Sequence, residues 1–515
     1  MCAADATRRL DLSWLPLLAL AGLAARLLWL SRHWPLVHDA PIMHYLAWRI
    51  MEGAVPYRDF FDMNFPGVYL LHLGVLGVLG PGDLGWRVFD LGWLALTALT
   101  IVALAAPWGM VASLGGGLFF AVYHLANGAW QTGQRDFLLC PFLLAGAVGV
   151  ARWGELAREA PVTRPSSTPL VLGGLALGAG LTVKPQSVLL LLALASVVAI
   201  VARRTQRPLA PALTFFLAPA ATAPLAVVGW VAVRGGLPAW WAIVMDYLIP
   251  LYSRLGRPPS WAFHRWHVWL VIVAAVVLSL GERLVQRRFT LRHLVVVVGM
   301  LYGLVHFFGQ GKGWEYHLYP LAAFAAVVVG SALSPLRLGR PVSLAVAASL
   351  VAIVVMLDLK GVEAADAPWI HDKQRRVDAI VQALAGRLGP RETVQVLDTT
   401  EGGIHVLLRL RAEEPTRFVY DFHFFHDLDH PTIRALRAEL MATLSARRPR
   451  FVVLFARGWP SGGYERVERF PELSRLLATY TIDVRGRDYM ILAAPAGASD
   501  FPGPPTRATG ATGPR

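Results

Sequence analysis

Residues 67–80 read Gly67-Val68-Tyr69-Leu70-Leu71-His72-Leu73-Gly74-Val75-Leu76-Gly77-Val78-Leu79-Gly80, and how this stretch meets a bilayer decides the architecture of the chain. It is apolar almost throughout, yet short. A helix needs about 20 apolar residues to cross the ~30 Å hydrocarbon layer, and a run of roughly 10–14 more often lies in the interface. One clear apolar run precedes it, 12–31. Ten follow it: 86–106, 109–126, 137–153, 168–183, 185–202, 210–233, 266–281, 294–309, 318–334 and 342–358. Whether 67–80 lies flat or crosses inverts the sidedness of all ten.

Charge decides between the two. With 67–80 flat on the outer face, 32–85 is one long external loop. The loops that fall inside then hold Arg152, Arg158 and Arg164; Arg203, Arg204 and Arg207; Arg283, Arg287, Arg288 and Arg292; and Arg337 and Arg340. If 67–80 crosses, every one of these clusters moves outside, against the excess of Lys and Arg in cytoplasmic loops. The N-terminus has Arg8 and Arg9 before an apolar run from Leu12 to Leu30. That run is too long for a signal-peptide core, and it continues into Ser31-Arg32-His33-Trp34 without a small-residue cleavage site. It reads as an uncleaved first span with the N-terminus inside.

The predicted fold class is therefore a polytopic α-helical membrane protein of about eleven transmembrane helices, with a C-terminal extracytoplasmic α/β domain. Expected localisation is the cell (plasma) membrane, multi-pass, with the N-terminus cytoplasmic. The predicted domains are 1–359, carrying the external loop 32–85, then 360–497, then a disordered tail 498–515 rich in Pro, Gly and Thr. Within 360–497 the strands expected are Thr393–Leu397, Arg417–Tyr420, Phe451–Phe455, Tyr480–Val484 and Tyr489–Ala493. Val377–Leu388 and Thr432–Arg447 have helical periodicity.

Composition agrees. The chain of 515 residues is 55% hydrophobic and 16% charged, against about 25% charge in soluble domains, and its mean hydropathy is +0.49. Its net charge of +14 comes from arginines scattered through short loops, which excludes a nucleic-acid patch. Two cysteines, Cys2 and Cys140, give no disulfide framework.

The external segments hold the chemistry. The first contains Val37-His38-Asp39-Ala40-Pro41, then Pro56-Tyr57-Arg58-Asp59-Phe60-Phe61-Asp62 and Asn64-Phe65-Pro66-Gly67. Asp39 follows the first span closely, where a carboxylate can act on a bilayer-anchored substrate. Taken alone it is more often a solvated loop acid or a helix cap. The second segment ends in Gln134-Arg135-Asp136 at a helix start, where Asp136 suits a cap favoured by the helix dipole. Lys184-Pro185 joins two apolar runs at the outer face; a cation there implies a partner or snorkelling to headgroups. Gln310-Gly311-Lys312-Gly313-Trp314-Glu315-Tyr316-His317 precedes another span. The 234–265 loop crowds Arg254, Arg257, His264 and Arg265 with Trp240, Trp241 and Trp261, and Arg26 sits late in the first span. Acids, cations and aromatics from four external segments at one face suit a lipid-phosphate ligand carrying a sugar.

This pattern resembles the GT-C superfamily of membrane glycosyltransferases, in particular the protein O-mannosyltransferase and aminoarabinose transferase branch (glycosyltransferase family 39-like). Asp39, the Pro-Tyr-Arg-Asp-Phe-Phe-Asp and Asn-Phe-Pro-Gly stretches, Gln134-Arg135-Asp136 and Lys184-Pro185 carry the likeness over 12–360. The resemblance implies inverting transfer of a sugar from a polyprenyl-phosphate-linked donor to an acceptor hydroxyl on a lipid, glycan or protein, with Asp39 as catalytic base. Lys184, then Arg135 or Lys312, would stabilise the donor phosphate. His38, Tyr57, Asp59, Asp62, Asp136 and His317 are the candidates for acceptor or sugar contacts. Relatives often have Asp-Glu where this chain has Asp39-Ala40, so no cofactor is certain and a divalent metal stays open. The rivals are a lipid or sugar transporter or flippase, which predicts charges paired deep in several spans and related halves, and a non-catalytic membrane assembly protein.

Overall fold

The computed structural model describes residues 14–159, 166–258, 260–261, 267–333, 340–459 and 462–495. The basic residues Arg8, Arg9, Arg164 and Arg337, together with Cys2, His264, Arg265 and the tail 498–515, lie outside them. The chain forms two compact units, each discontinuous in sequence. The first comprises Met1–Met43, Asn64–Leu237 and Tyr252–Pro368; the second His44–Met63, Pro238–Leu251 and Trp369–Arg515.

The first unit is helical: α1 Leu15–Leu30, the start of α2 Ala40–Met51, α3 Pro66–Leu79, α4 Asp83–Ala105, α5 Met110–Ala126, α6 Arg135–Glu159, α7 Thr168–Val183, α8 Val188–Arg204 and α9 Leu209–Val233. After a short helix, α10 Leu237–Ala242, come α11 His267–Val285, α12 Leu291–Gly309, α13 Tyr319–Ala332 and α14 Arg340–Ala365. By length and composition, five helices among the described residues can cross a membrane: Asp83–Trp108, Arg135–Glu159, Pro185–Arg204, Leu209–Val233 and Leu291–Gly309; α1, α3, α5 and α7 are apolar but shorter. The decisive stretch is thus a helix, α3, with Pro66 at its first turn, where a missing N–H costs nothing. At about 1.5 Å per residue it spans roughly 21 Å.

Helix α13 is buried along its whole length, as an all-round apolar helix must be. Glycines let its neighbours approach closely: Gly330 meets Ala112 and Gly116 of α5, and Gly299 and Gly303 of α12 lie against Phe324 and Leu321.

Polar links join helix ends. Arg87 of α4 donates to Asp90 Oδ2 at 2.5 Å and to Ser31 Oγ, at the end of α1, at 2.8 Å. His124, near the end of α5, lies 3.3 Å from Asp90 Oδ2 and 2.8 Å from the hydroxyl of Tyr319, at the start of α13. Elsewhere Arg292 of α12 pairs with Glu155 of α6 at 2.5 Å and donates to the carbonyls of Ala103 and Leu104 at 2.9 and 2.8 Å.

The second unit is built on a four-stranded sheet of β1 Val394–Leu397, β2 Phe451–Phe455, β3 Thr481–Arg485 and β4 Tyr489–Ala493, in the order β1-β2-β4-β3. β1 pairs parallel to β2; β2–β4 and β3–β4 are antiparallel. Its main helices are α15 Pro368–Leu384, α16 Gly403–Leu410 and α17 Pro431–Ala446. The expected strand Arg417–Tyr420 is not one: Phe418 makes a single bridge to Phe61. Beyond it the chain turns away to bond Asp421 N–H to the carbonyl of Asp398, at 2.9 Å. Residues 44–63 belong to this unit, held by Arg49 to Glu413 at 3.2 Å and by the Tyr45 hydroxyl to the Ala412 carbonyl at 3.3 Å.

Candidate active site

Asp39 opens α2, its carbonyl accepting from the N–H of Ile42 and Met43 at 3.1 and 3.3 Å. Its carboxylate is 22% exposed and is approached on both oxygens. His38 Nε2 is 3.4 Å from Oδ1; Gln134 Nε2 donates to Oδ2 at 3.2 Å, and Arg135 Nη2 is 3.8 Å from the same oxygen. Upstream, the loop is pinned by Leu36 N–H to Asp83 Oδ1 at 2.8 Å and by the Trp34 indole N–H to the Ala365 carbonyl at 3.0 Å.

The 127–134 turn delivers Gln134 and Arg135. Gly133 has φ +68°, and a Cβ there would run into the Trp86 ring, so no other residue makes this turn without strain. The Trp86 indole also donates to Thr132 Oγ1 at 3.2 Å. Arg135 then reaches the Asn64 amide oxygen, binding Asn-Phe-Pro-Gly to the Asp39 site. Gly67 lies so close to Thr182 that a Cβ would overlap it. The start of α3 is thus set against the end of α7, beside Lys184.

Behind Arg135 is a buried ionic cluster. Lys184 Nζ donates to Asp136 Oδ1 and Oδ2, both at 2.7 Å, and to Gln310 Oε1 at 2.8 Å. His306 Nε2 lies 2.5 Å from Asp136 Oδ1, and Tyr302 hydroxyl 3.1 Å from His306 Nδ1. The Asp136 side chain is fully buried, which is tolerable only because both oxygens are paired. His317, with Trp314 and Tyr316 rings at 5.5 and 4.7 Å, is buried, which keeps its imidazole well below the usual range; nearby Lys184 adds to this.

Lys312 donates to the carbonyls of Tyr252 and Leu255 at 2.7 and 2.6 Å and lies 4.1 Å above the Tyr252 ring. Burial lowers its ammonium pKa to about 8. It therefore fastens the 252–255 turn. Arg257 N–H to the Gly311 carbonyl at 2.8 Å closes the same pair of loops. Lys360 spans Asn127 Oδ1 at 2.7 Å and Glu315 at 3.4 Å.

Seven of the sequence candidates, His38, Asp39, Arg135, Asp136, Lys184, Lys312 and His317, fall in the first unit. The other three are in the second. Tyr57 is buried and stacked on Trp240 at 5.5 Å. Asp59 accepts from Val55 N–H at 2.8 Å and pairs with Arg58; Asp62 is buried. Sequence reading did not select Asn64, His306 or Gln310. Asn64 and Gln310 stood in quoted motifs. His306 stands in an apolar run, and its one signal was a histidine a turn before the Gly309–His317 segment. Among the described residues no three His, Cys, Asp or Glu side chains are grouped to hold a metal ion.

No protein-family model matches the chain, and no curated protein does. Among solved structures, ArnT from Cupriavidus metallidurans bound to undecaprenyl phosphate is similar at TM-score 0.59 and 12% identity, covering 95% of this chain and 99% of that one. The apo state of the same protein matches at TM-score 0.57 and 11% identity, over 92% and 97% of the two chains. The apo oligosaccharyltransferase of Archaeoglobus fulgidus matches at TM-score 0.50 and 13% identity, over 91% of this chain and 73% of that one. At such identities the likeness is one of fold: the chain shares the overall fold of ArnT and of the archaeal oligosaccharyltransferase.

Proposed function

We propose that this chain is a membrane glycosyltransferase that moves a sugar from a polyprenyl-phosphate-linked donor to an acceptor hydroxyl at the extracytoplasmic face, with inversion and with Asp39 as base. The observation that carries the reading is the Asp39 carboxylate, part-exposed and flanked by His38, Gln134 and Arg135. It supports a base whose orientation is fixed before substrate arrives. The fold likeness to a protein solved with undecaprenyl phosphate supports the donor class.

In the reaction the acceptor oxygen attacks the anomeric carbon from the face opposite the phosphate. The bond from that carbon to the phosphate oxygen breaks, and the acceptor proton passes to Asp39. The leaving phosphate needs no proton at neutral pH, but its charge rises in the transition state, where pre-placed cations stabilise it. Beside Asp39 and Asp136 stand Arg135 and Lys184, one cation to each carboxylate. Lys184 is already engaged by Asp136, so Arg135 is the first candidate for the donor phosphate and Lys312, in the 309–317 loop, the next.

Eleven spans, with the N-terminus inside and the 252–258 and 309–317 loops outside, fit this chemistry, because lipid-linked sugars are the donors expected there. Two measurements test the reading together. Mass spectrometry of lipid co-purifying with the protein is expected to find a polyprenyl phosphate or its sugar. Asp39→Asn is expected to keep that lipid while transfer falls by roughly 10²-fold or more. Wild-type transfer by Asp39→Asn refutes the mechanism.

A further inference from the structure

We infer that His38 is the positioning residue for Asp39: it sets which way the carboxylate faces and does not itself touch the acceptor. This rests on the reading of Asp39 as base. His38 is one of few non-glycine residues here with positive φ, at +66°. That region costs a side chain of order 1–2 kcal/mol per residue, and a buried residue held there marks a place where something else fixes the backbone. The ring supplies the reason. It packs on Trp130 at 3.5 Å between centroids, with planes 31° apart, and brings Nε2 to 3.4 Å from Asp39 Oδ1.

The opposite oxygen, Oδ2, takes Gln134 and Arg135 from the start of α6. The carboxylate is therefore gripped from two sides by different segments. Gln134 and Arg135 hold one oxygen, and His38 meets the other. The left-handed turn is what permits neighbours 38 and 39 to face one another: in extended backbone successive side chains point apart. At 8% exposure, His38 has little surface to offer a substrate, whereas Asp39 is more open.

A role through Asp39 differs measurably from direct contact. His38→Asn is the informative variant, because Asn tolerates positive φ while its amide ends near the Nδ1 position, short of Nε2. Four proteins are compared: wild type, His38→Asn, Asp39→Asn and the double variant. Their Tm values need no substrate, and the expected result is that the two losses are not additive, since side chains in contact couple. Turnover is then measured on a panel of undecaprenyl-phosphoryl sugars, following release of undecaprenyl phosphate. His38→Asn is expected to lower kcat by roughly 10-fold to 10²-fold with both KM values kept, and to change nothing further in the Asp39→Asn background. Additive Tm losses overturn the inference. So does a rise in acceptor KM that persists in the Asp39→Asn background. Full activity of Asp39→Asn is a separate outcome: it removes the base reading and leaves the Tm cycle to report the contact alone.

Discussion

Lys184→Met separates two roles of one ammonium. The side chain neutralises Asp136, with Nζ at 2.7 Å from both carboxylate oxygens, and the family resemblance also makes it a candidate for the donor phosphate. Met keeps the apolar stem and removes the charge. Asp136 is then left with His306 at 2.5 Å and no full counter-charge in a fully buried site. Deleting one partner of a buried ion pair costs about 3–5 kcal/mol, a large part of a total stability of roughly 5–15 kcal/mol. Replacing both charges removes the orphan: Lys184→Met with Asp136→Asn is expected to recover at least half of that loss, since neutralised pairs are often close to neutral in stability. The assay is the fraction of each protein that stays monodisperse in detergent after a series of heating steps. A double variant as unstable as Lys184→Met refutes the claim that Lys184 is the counter-charge of Asp136. Transfer by the double variant then reports the second role: it is expected to stay low, and wild-type turnover would reduce Lys184 to a counter-ion.

Lys312 gives a pH prediction. Its folded pKa is lowered to about 8, below the ordinary ~10.4 of a free lysine, so the unfolded chain holds more protons between those values. Its contribution to stability therefore rises with pH across about 8 to 10.4. Donor binding that uses the charged form should weaken over the same window: donor KM should climb above about pH 8, and Lys312→Gln should abolish the climb. Asp59→Asn and Asp62→Asn bracket Asp39→Asn. The first alters a local turn (Val55 N–H to Asp59 at 2.8 Å) and should keep transfer within two-fold or so at a cost of about 1 kcal/mol. The second changes a side chain with 0% exposure and should lower Tm more; loss of transfer by Asp59→Asn at unchanged Tm would contradict this division. For topology, Gln206→Cys and Gln286→Cys in a background without Cys2 and Cys140 should resist impermeant thiol reagents in intact cells. Glu472→Cys should label; the reverse pattern would overturn the sidedness.

What the sequence made legible were charges whose position violates the default. Asp39 just after a span, Arg135-Asp136 at a helix start and Lys184 between two apolar runs each stand where hydrocarbon or interface makes charge costly, and each has a polar partner in the structure. Strands β1, β2 and β4 were legible because each is a short apolar β-branched or aromatic run. Arg417–Tyr420 has the same look, yet no neighbouring strand runs beside it beyond Phe61, and pairing is a tertiary fact. His306 was invisible because one imidazole in an apolar helix looks like core. Nor does periodicity announce that 44–63 and 238–251 join the second unit, since that depends on packing between distant segments.

The sidedness problem posed by 67–80 has a geometric counterpart in the first unit. Ser31 ends α1 and Arg87 lies one turn into α4, and the two are hydrogen-bonded at 2.8 Å. Leu36 and Asp83 are bonded at 2.8 Å as well. The end of α1 and the start of α4 therefore meet, so the chain between them leaves and returns to one end of the helices. Helices α2 and α3, of 12 and 14 residues, would reach about 18 and 21 Å, short of a ~30 Å core. At the other ends Arg292, at the start of α12, meets Glu155 late in α6 and the carbonyls closing α4. The Arg87–Asp90–His124–Tyr319 and Arg292–Glu155 networks thus sit at opposite ends of the helices. A translocation path predicts paired charges along its middle. Charge gathered at the two ends, with the part-open carboxylate of Asp39 at one of them, favours chemistry at a face over passage through the bundle.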